Sequence, residues 1–260
     1  MKDTFTLAGK NFKSRLIIGT GKYASGEMLA QACKASGAQI ATMAVKRIDT
    51  TDHTDEIITP LLELGVQLMP NTSGAKNAKE AIFAAQLARE ALGIDWIKVE
   101  VHPDVKYLLP DPIETFKACE TLCKEGFKVF PYINADPVLC KRLEDLGVCA
   151  VMPLGAPIGS ARGLKTLSML KIIIKESHVP VIIDAGIGAP SDAVKAFEMG
   201  ADACMINTAI AAAGDQIAMA KAFNLAQESG RIAYIAGMAD KVETSRATSP
   251  MESFLKEAMK

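Results

Sequence analysis

Leu87-Ala88-Arg89-Glu90-Ala91-Leu92-Gly93-Ile94-Asp95-Trp96-Ile97-Lys98-Val99-Glu100-Val101 decides the fold. Its first half is an amphipathic helical pattern that stops at a glycine, the residue best suited to the left-handed conformation that closes a helix. Two residues later a short run rich in β-branched side chains begins, as a strand does. Helix, glycine cap and strand in that order form a piece of a parallel α/β chain.

The phrase repeats outward in both directions. Gly37, Gly65, Gly126, Gly147 and Gly200 each end an amphipathic segment, and apolar runs follow at Ile40–Val45, Val66–Pro70, Lys128–Tyr132, Ala150–Leu154 and Ala203–Asn207. The quoted stretch supplies Trp96–Val101. Arg15–Gly19 precedes the first helix, and Val179–Asp184 opens at Pro180, which brings the expected strands to eight. Runs this continuous in Val, Ile and Met, separated by helices, fit a parallel sheet buried on both faces. Eight such units close into a (β/α)8 TIM barrel, here read as a single domain over residues 1–260. An open doubly wound sheet is the alternative. Its glycine-rich turn would be Gly19-Thr20-Gly21-Lys22, which lacks the third glycine and the later acidic residue. Residues 1–14, with Phe5, Leu7 and Phe12, are expected to add a hairpin at the barrel bottom. Two stretches break the rhythm: the long connection His102–Pro112 and the polar C-terminal tail Met238–Lys260, either of which can cover an active site.

A length of 260 residues suits one such barrel, and with only 5% aromatic residues against 49% hydrophobic ones its core must be aliphatic. A net charge of −1 without any lysine or arginine run excludes nucleic acid as a partner class. Met1–Arg15 holds no uninterrupted apolar segment of the signal-peptide kind and no stretch reaches the length of a membrane span, so a cytoplasmic location is expected. The six cysteines, Cys33, Cys119, Cys123, Cys140, Cys149 and Cys204, are scattered and read as reduced thiols. Cys119 and Cys123 share a helix face, but two ligands are too few for zinc, and no metal or cofactor is expected.

Barrel enzymes carry their reactive groups at the C-terminal ends of strands. On the fourth strand Trp96, Lys98 and Glu100 alternate with Ile97, Val99 and Val101, and alternate side chains face opposite sides of a strand. The apolar set faces the helices, so Lys98 and Glu100 point into the barrel. A buried ammonium and carboxylate are costly unless paired or used. They can form a filling ion pair; Asp184, at the end of the seventh strand, points into the same volume and favours chemistry instead. Desolvation is expected to lower the pKa of Lys98, freeing a neutral amine for imine formation, with Glu100 and Asp184 as the proton-transfer pair.

Pro157-Ile158-Gly159-Ser160, Ala185-Gly186-Ile187-Gly188 and Asn207-Thr208 follow the sixth, seventh and eighth strands. Adjacent loops of this kind offer backbone amides to a phosphate, where barrels commonly bind one; glycines that merely permit tight turns are the other reading. His53 and His178 fall in a polar loop and at a helix–strand junction, and His102 at the rim.

Taken together, Gly19-Thr20-Gly21-Lys22-Tyr23, Pro70-Asn71-Thr72, Lys98-Val99-Glu100-Val101, Leu109-Pro110-Asp111-Pro112, Met152 to Ser160, Asp184 to Gly188 and Asn207-Thr208-Ala209-Ile210 closely resemble the thiazole synthases of thiamine biosynthesis. The resemblance runs in order over nearly the whole chain. It implies a (β/α)8 enzyme that joins 1-deoxy-D-xylulose 5-phosphate, dehydroglycine (2-iminoacetate) and sulfur into thiazole phosphate. The lysine matching Lys98 would form the imine with the sugar ketone, and Glu100 and Asp184 would move protons. Positions matching Gly159, Ala185, Gly186, Asn207 and Thr208 would hold the sugar phosphate. The resemblance also implies a thiocarboxylated sulfur carrier protein as donor, an enzyme that supplies dehydroglycine, and a homo-oligomer, a tetramer in the family. The chain departs from the family pattern at Ala161-Arg162, at Ile133 after Pro131-Tyr132, and at Met238. Those positions bear on carrier docking and the tail, not on the imine. An aldolase acting on a phosphosugar through the same lysine is the runner-up, and a phosphate-ligand sensor on a catalytically retired barrel the non-enzymatic reading.

Overall fold

The computed structural model describes residues 3–47, 58–245 and 247–249. His53 and most of the tail beyond Ser245 lie outside them. The eight expected strands are observed as β3 (Leu16–Gly19), β4 (Ile40–Ala44), β5 (Gln67–Asn71), β6 (Trp96–Val99), β7 (Lys128–Ile133), β8 (Met152–Pro153), β9 (Ile182–Ile183) and β10 (Ala203–Ile206). They run parallel in the order β8-β7-β6-β5-β4-β3-β10-β9. Backbone bonds close the ring between its two ends: Val151 N donates to Pro180 O (3.0 Å), Ile182 N to Val151 O (2.9 Å) and Asp184 N to Pro153 O (3.1 Å). This is the expected barrel. β8 and β9 are shorter than their apolar runs, because Pro153 and Pro180 have no N–H to give the ladder.

Helices α1 (Gly26–Ser36), α2 (Ile58–Glu63), α3 (Ala78–Leu92), α4 (Pro112–Lys124), α5 (Pro137–Asp145), α6 (Leu167–Glu176), α7 (Pro190–Glu198), α8 (Thr208–Ala211) and α9 (Gln216–Ala236) surround the strands. Their starts follow side-chain capping: Ser25, Asn77, Asp111, Asp136 and Asp215 each accept a first-turn amide. Their ends follow the glycines. Gly37 (φ 68°) and Gly93 (φ 65°) are left-handed, and each returns its N–H to a carbonyl of the last turn. No helix of the described residues is long and apolar enough to cross a membrane.

Two apolar layers build the molecule. The outward side chains of the strands, among them Ile97, Val99 and Val101, pack against helical residues such as Ala85 and Leu122. Inside the ring Ile17, Ile40, Met69, Trp96, Phe130, Met152 and Ile182 fill the bottom. A hairpin of β1 (Phe5–Leu7) and β2 (Lys10–Phe12) closes it from below. Phe12 meets the edge of Trp96 at 6.1 Å between ring centroids, and Trp96 lies 5.0 Å from Phe130. Side chains two residues apart on a strand share a face. The column Trp96, Lys98, Glu100 on β6 therefore climbs from an apolar plug into the barrel mouth.

Candidate active site

Lys98 is only 1% exposed, and Asp184 and Glu100 are buried beside it. Its Nζ donates to Glu100 Oε1 at 2.9 Å. It also lies 2.7 Å from Asp184 Oδ2, a buried ion pair at hydrogen-bond distance. Beneath the ammonium is the ring of Tyr132, 5.4 Å away at its centroid. Strand register explains this neighbour: Lys98 pairs with Phe130, which puts Tyr132 one inward step further along β7. Sequence reading missed it, although the i, i+2 rule applied to paired strands carries the signal.

β6 itself ends at Val99, and a side chain holds Glu100 in place beyond it. Thr72, after β5, donates its hydroxyl to Glu100 O and accepts from Glu100 N, both at 2.8 Å. Thr72 N donates to Lys98 O (3.1 Å), and Asn71 Nδ2 to Thr42 Oγ1 (3.0 Å).

The electrostatics correct one expectation. Burial does push the Lys98 ammonium toward its neutral form, but the carboxylates of Asp184 and Glu100 outweigh it, and the net pKa is raised. The resting group is an ammonium. Burial and the neighbouring Glu100 charge together exceed the pull of Lys98 on Asp184, which is pushed up to about 6. Glu100 feels the same burial, yet Lys98 and His102 hold it down to about 2. Two carboxylates on one lysine are thus poised differently, one near neutrality and one firmly anionic, the usual arrangement for proton transfer.

Gly159, Ala185, Gly186, Asn207 and Thr208 line the same cavity as Lys98, Glu100 and Asp184, a space of about 200 Å³. The loops after β8 and β9 interlock: Gly155 N donates to Ala185 O (2.9 Å) and Gly163 N to Gly186 O (2.7 Å). They approach so closely that a Cβ on Gly186 would sit 2.3 Å from Ala156 N. Among the described residues nothing accepts from the amides of Gly159 and Gly186, which leaves them free for an anion. The carboxamide of Asn207 faces the carbonyls of Gly19 (3.2 Å) and Gly21 (2.9 Å) through its nitrogen, tying the loops after β10 and β3 together. Lys22 Nζ comes within 3.8 Å, and Thr208 Oγ1 within 3.9 Å, of where a Gly159 Cβ would be. Lys22 is the cation beside an otherwise neutral anion cradle.

Other sequence expectations separate. His102 is buried rather than at the rim, 3% exposed, with Nε2 3.3 Å from Glu100 Oε2. It continues the inward alternation of Lys98 and Glu100, and its N donates to Ala75 O (3.1 Å) past the end of β6. His178 is exposed, near Lys141 and Glu144, far from this chemistry. Ala161 lines the cavity with φ 49°, a conformation glycine adopts freely. Arg162 and Met238 are exposed, and Ile133 packs outward toward the helices. The connection after β6 covers part of the mouth: Leu108 lines the cavity and its carbonyl accepts from Tyr132 Oη at 3.3 Å. Among the described residues no group of His, Cys, Asp and Glu could hold a metal ion.

Comparison with known proteins fits this geometry. The family described as "Thiazole biosynthesis protein ThiG" matches residues 6–250. A thiazole synthase of Vibrio campbellii is 61% identical over 251 residues, 96% of this chain and 98% of that one. One of Aeromonas salmonicida is 60% identical over 250 residues, with 96% and 98% covered. Among solved structures, the BexX/CysO complex of Amycolatopsis orientalis aligns with a TM-score of 0.83 at 26% identity, over 92% of this chain and 98% of the other. With a family match over nearly its full length, this barrel belongs to the thiazole synthases of thiamine biosynthesis.

Proposed function

We propose that this chain condenses 1-deoxy-D-xylulose 5-phosphate, dehydroglycine and the sulfur of a thiocarboxylated carrier protein into thiazole phosphate, through an imine on Lys98. The observation that carries the reading is one lysine held between two unlike carboxylates in a cavity whose other wall offers free backbone amides. The sugar phosphate anchors on Gly159, Ala185, Gly186, Asn207 and Thr208. Its ketone then reaches Lys98 Nζ. The ammonium gives up a proton to the carboxylate pair, the amine adds to the carbonyl carbon, and water leaves as the C=N bond forms. Asp184, near neutrality, and Glu100, anionic, then move protons between neighbouring carbons of the bound sugar.

Sulfur comes on a separate protein. A relative solved in complex with a second protein supports that arrangement. The exposed rim residues Tyr107 and Leu109, with Asn134 donating to Pro110 O, are where an extended glycine-ended tail would enter. The enzyme that supplies dehydroglycine and a homo-oligomeric state complete the partners carried by the same reading.

Borohydride reduction in the presence of deoxyxylulose phosphate, followed by peptide mass spectrometry, tests it. The sugar mass is expected on Lys98. Carbon–carbon cleavage of the sugar without any sulfur donor would instead make this an aldolase.

A further inference from the structure

Glu100 is held on three sides by groups already described. Thr72 fixes its backbone N and O, and Lys98 Nζ takes Oε1 at 2.9 Å. Only Oε2 remains. In a buried site a free carboxylate oxygen would swing to share the lysine or be left unpaired at considerable cost. His102 Nε2 stands 3.3 Å from that oxygen.

We propose that His102 is a positioning residue for the imine chemistry: its Nε2–H holds Glu100 Oε2 so that Oε1 stays aimed at Lys98, an inference that rests on the function proposed above. The tautomer follows from the contact. A carboxylate only accepts, so the proton must be on Nε2. Nδ1 is buried with no partner among the described residues. Ser73 Oγ, which lines the cavity, approaches the same Nε2 at the longer distance of 3.5 Å. The other ionisable groups facing Glu100 are Lys98 on its own strand, Asp184 from the end of β9 and Tyr132 from β7. None of these donates to Oε2, so among the described residues His102 supplies the donor to that oxygen and, with Lys98 on Oε1, sets the carboxylate's last torsion.

The test compares His102→Leu and His102→Gln in the wild-type and Glu100→Gln backgrounds, with thermal unfolding to establish that each folds. His102→Leu is expected to lower kcat for thiazole formation by about 10-fold to 10²-fold, the scale of a misplaced catalytic group. KM for the sugar phosphate should stay within about 2-fold, since binding is not its role. His102→Gln, whose side-chain N–H can reach Oε2, should recover most of the rate. In Glu100→Gln the leucine change should add nothing, because two groups that act as a unit are not additive. Nitrogen-15 NMR of labelled histidine in wild-type enzyme should show the proton on Nε2, with a signal that moves in Glu100→Gln.

Equal losses in both backgrounds, no rescue by glutamine, or a raised KM at unchanged kcat overturns the proposal. So does an Nε2 that carries no proton. If the leucine variant does not fold, the glutamine variant and the NMR decide. Should wild-type enzyme form no adduct and no thiazole, the functional reading fails, while the NMR still reports separately on the His102–Glu100 contact.

Discussion

Lys98 Nζ stands 2.7 Å from Asp184 Oδ2, across the barrel mouth from β6 to the end of β9. That pair, with the one to Glu100, holds the resting group as an ammonium. Lys98→Ala should abolish the borohydride-trapped sugar adduct. Lys98→Arg should fail equally, since a guanidinium stays charged and cannot form the imine. Asp184 and Glu100 both lose their cation in Lys98→Ala, and removing one partner of a buried pair costs about 3–5 kcal/mol. A lowered Tm should therefore accompany lost activity. An adduct that persists on another lysine sinks the assignment.

Glu100 and Asp184 should matter after the imine forms. In Glu100→Gln or Asp184→Asn the lysine is still present in the mouth, so the adduct should still form while product formation falls by roughly 10²-fold or more. Normal turnover in both variants would make the pair structural.

The pH dependence has a definite sign. Asp184 is pushed up to about 6 by burial, so it takes up a proton as pH falls through that value and can no longer act as a base. Product formation should decline on the acid side near pH 6 in wild type. Glu100, held near 2, stays ionised throughout that window. The limb should vanish in Asp184→Asn and survive in Glu100→Gln; a limb unchanged in Asp184→Asn assigns it elsewhere.

Gly159 tests the anion cradle. It sits at φ 72°, where an added Cβ is strained and would lie between Lys22 Nζ and Thr208 Oγ1. Strain of about 1–3 kcal/mol and a displaced amide donor predict for Gly159→Ala a KM for the sugar phosphate raised about 10-fold or more. The trapped adduct should still be on Lys98 at saturating sugar. An unchanged KM would remove Gly159 from the phosphate contacts.

Much of this site was legible before any coordinates. The alternation around Lys98 forces two charged side chains into the barrel because three apolar neighbours need the helices, and local patterns of that kind survive folding. Asp184 and the glycine loops were legible as strand ends. Three features were not. The raised pKa of Lys98 depends on distances to two carboxylates, one of them on a strand far away in sequence. His102 continues the inward alternation of Lys98 and Glu100, but its burial depends on the connection after β6 that covers the mouth. The seam at β8 and β9 is thinned by Pro153 and Pro180, whose missing N–H groups matter only once their ladder partners are known.

Sulfur should arrive from outside this chain, and the cysteines give the argument its force. Cys33 is in α1, Cys119 and Cys123 in α4 and Cys140 in α5, all outside the ring, while Cys149 lies in the turn before β8 and Cys204 near the start of β10, opposite the mouth. None lines the cavity that holds Lys98. Their chemistry agrees with their placement. Burial pushes Cys33 and Cys123 up to about 11 and Cys140 up to about 12, and raises Cys119, Cys149 and Cys204 as well. Thiolates carry persulfide chemistry, and at neutral pH these groups remain thiols. An enzyme with all six cysteines replaced by alanine or serine, shown by circular dichroism to be folded, should therefore still make thiazole phosphate from sugar phosphate, dehydroglycine and thiocarboxylated carrier. Activity lost in that folded variant, or a persulfide found on any of the six during wild-type turnover, would place the sulfur on this chain instead.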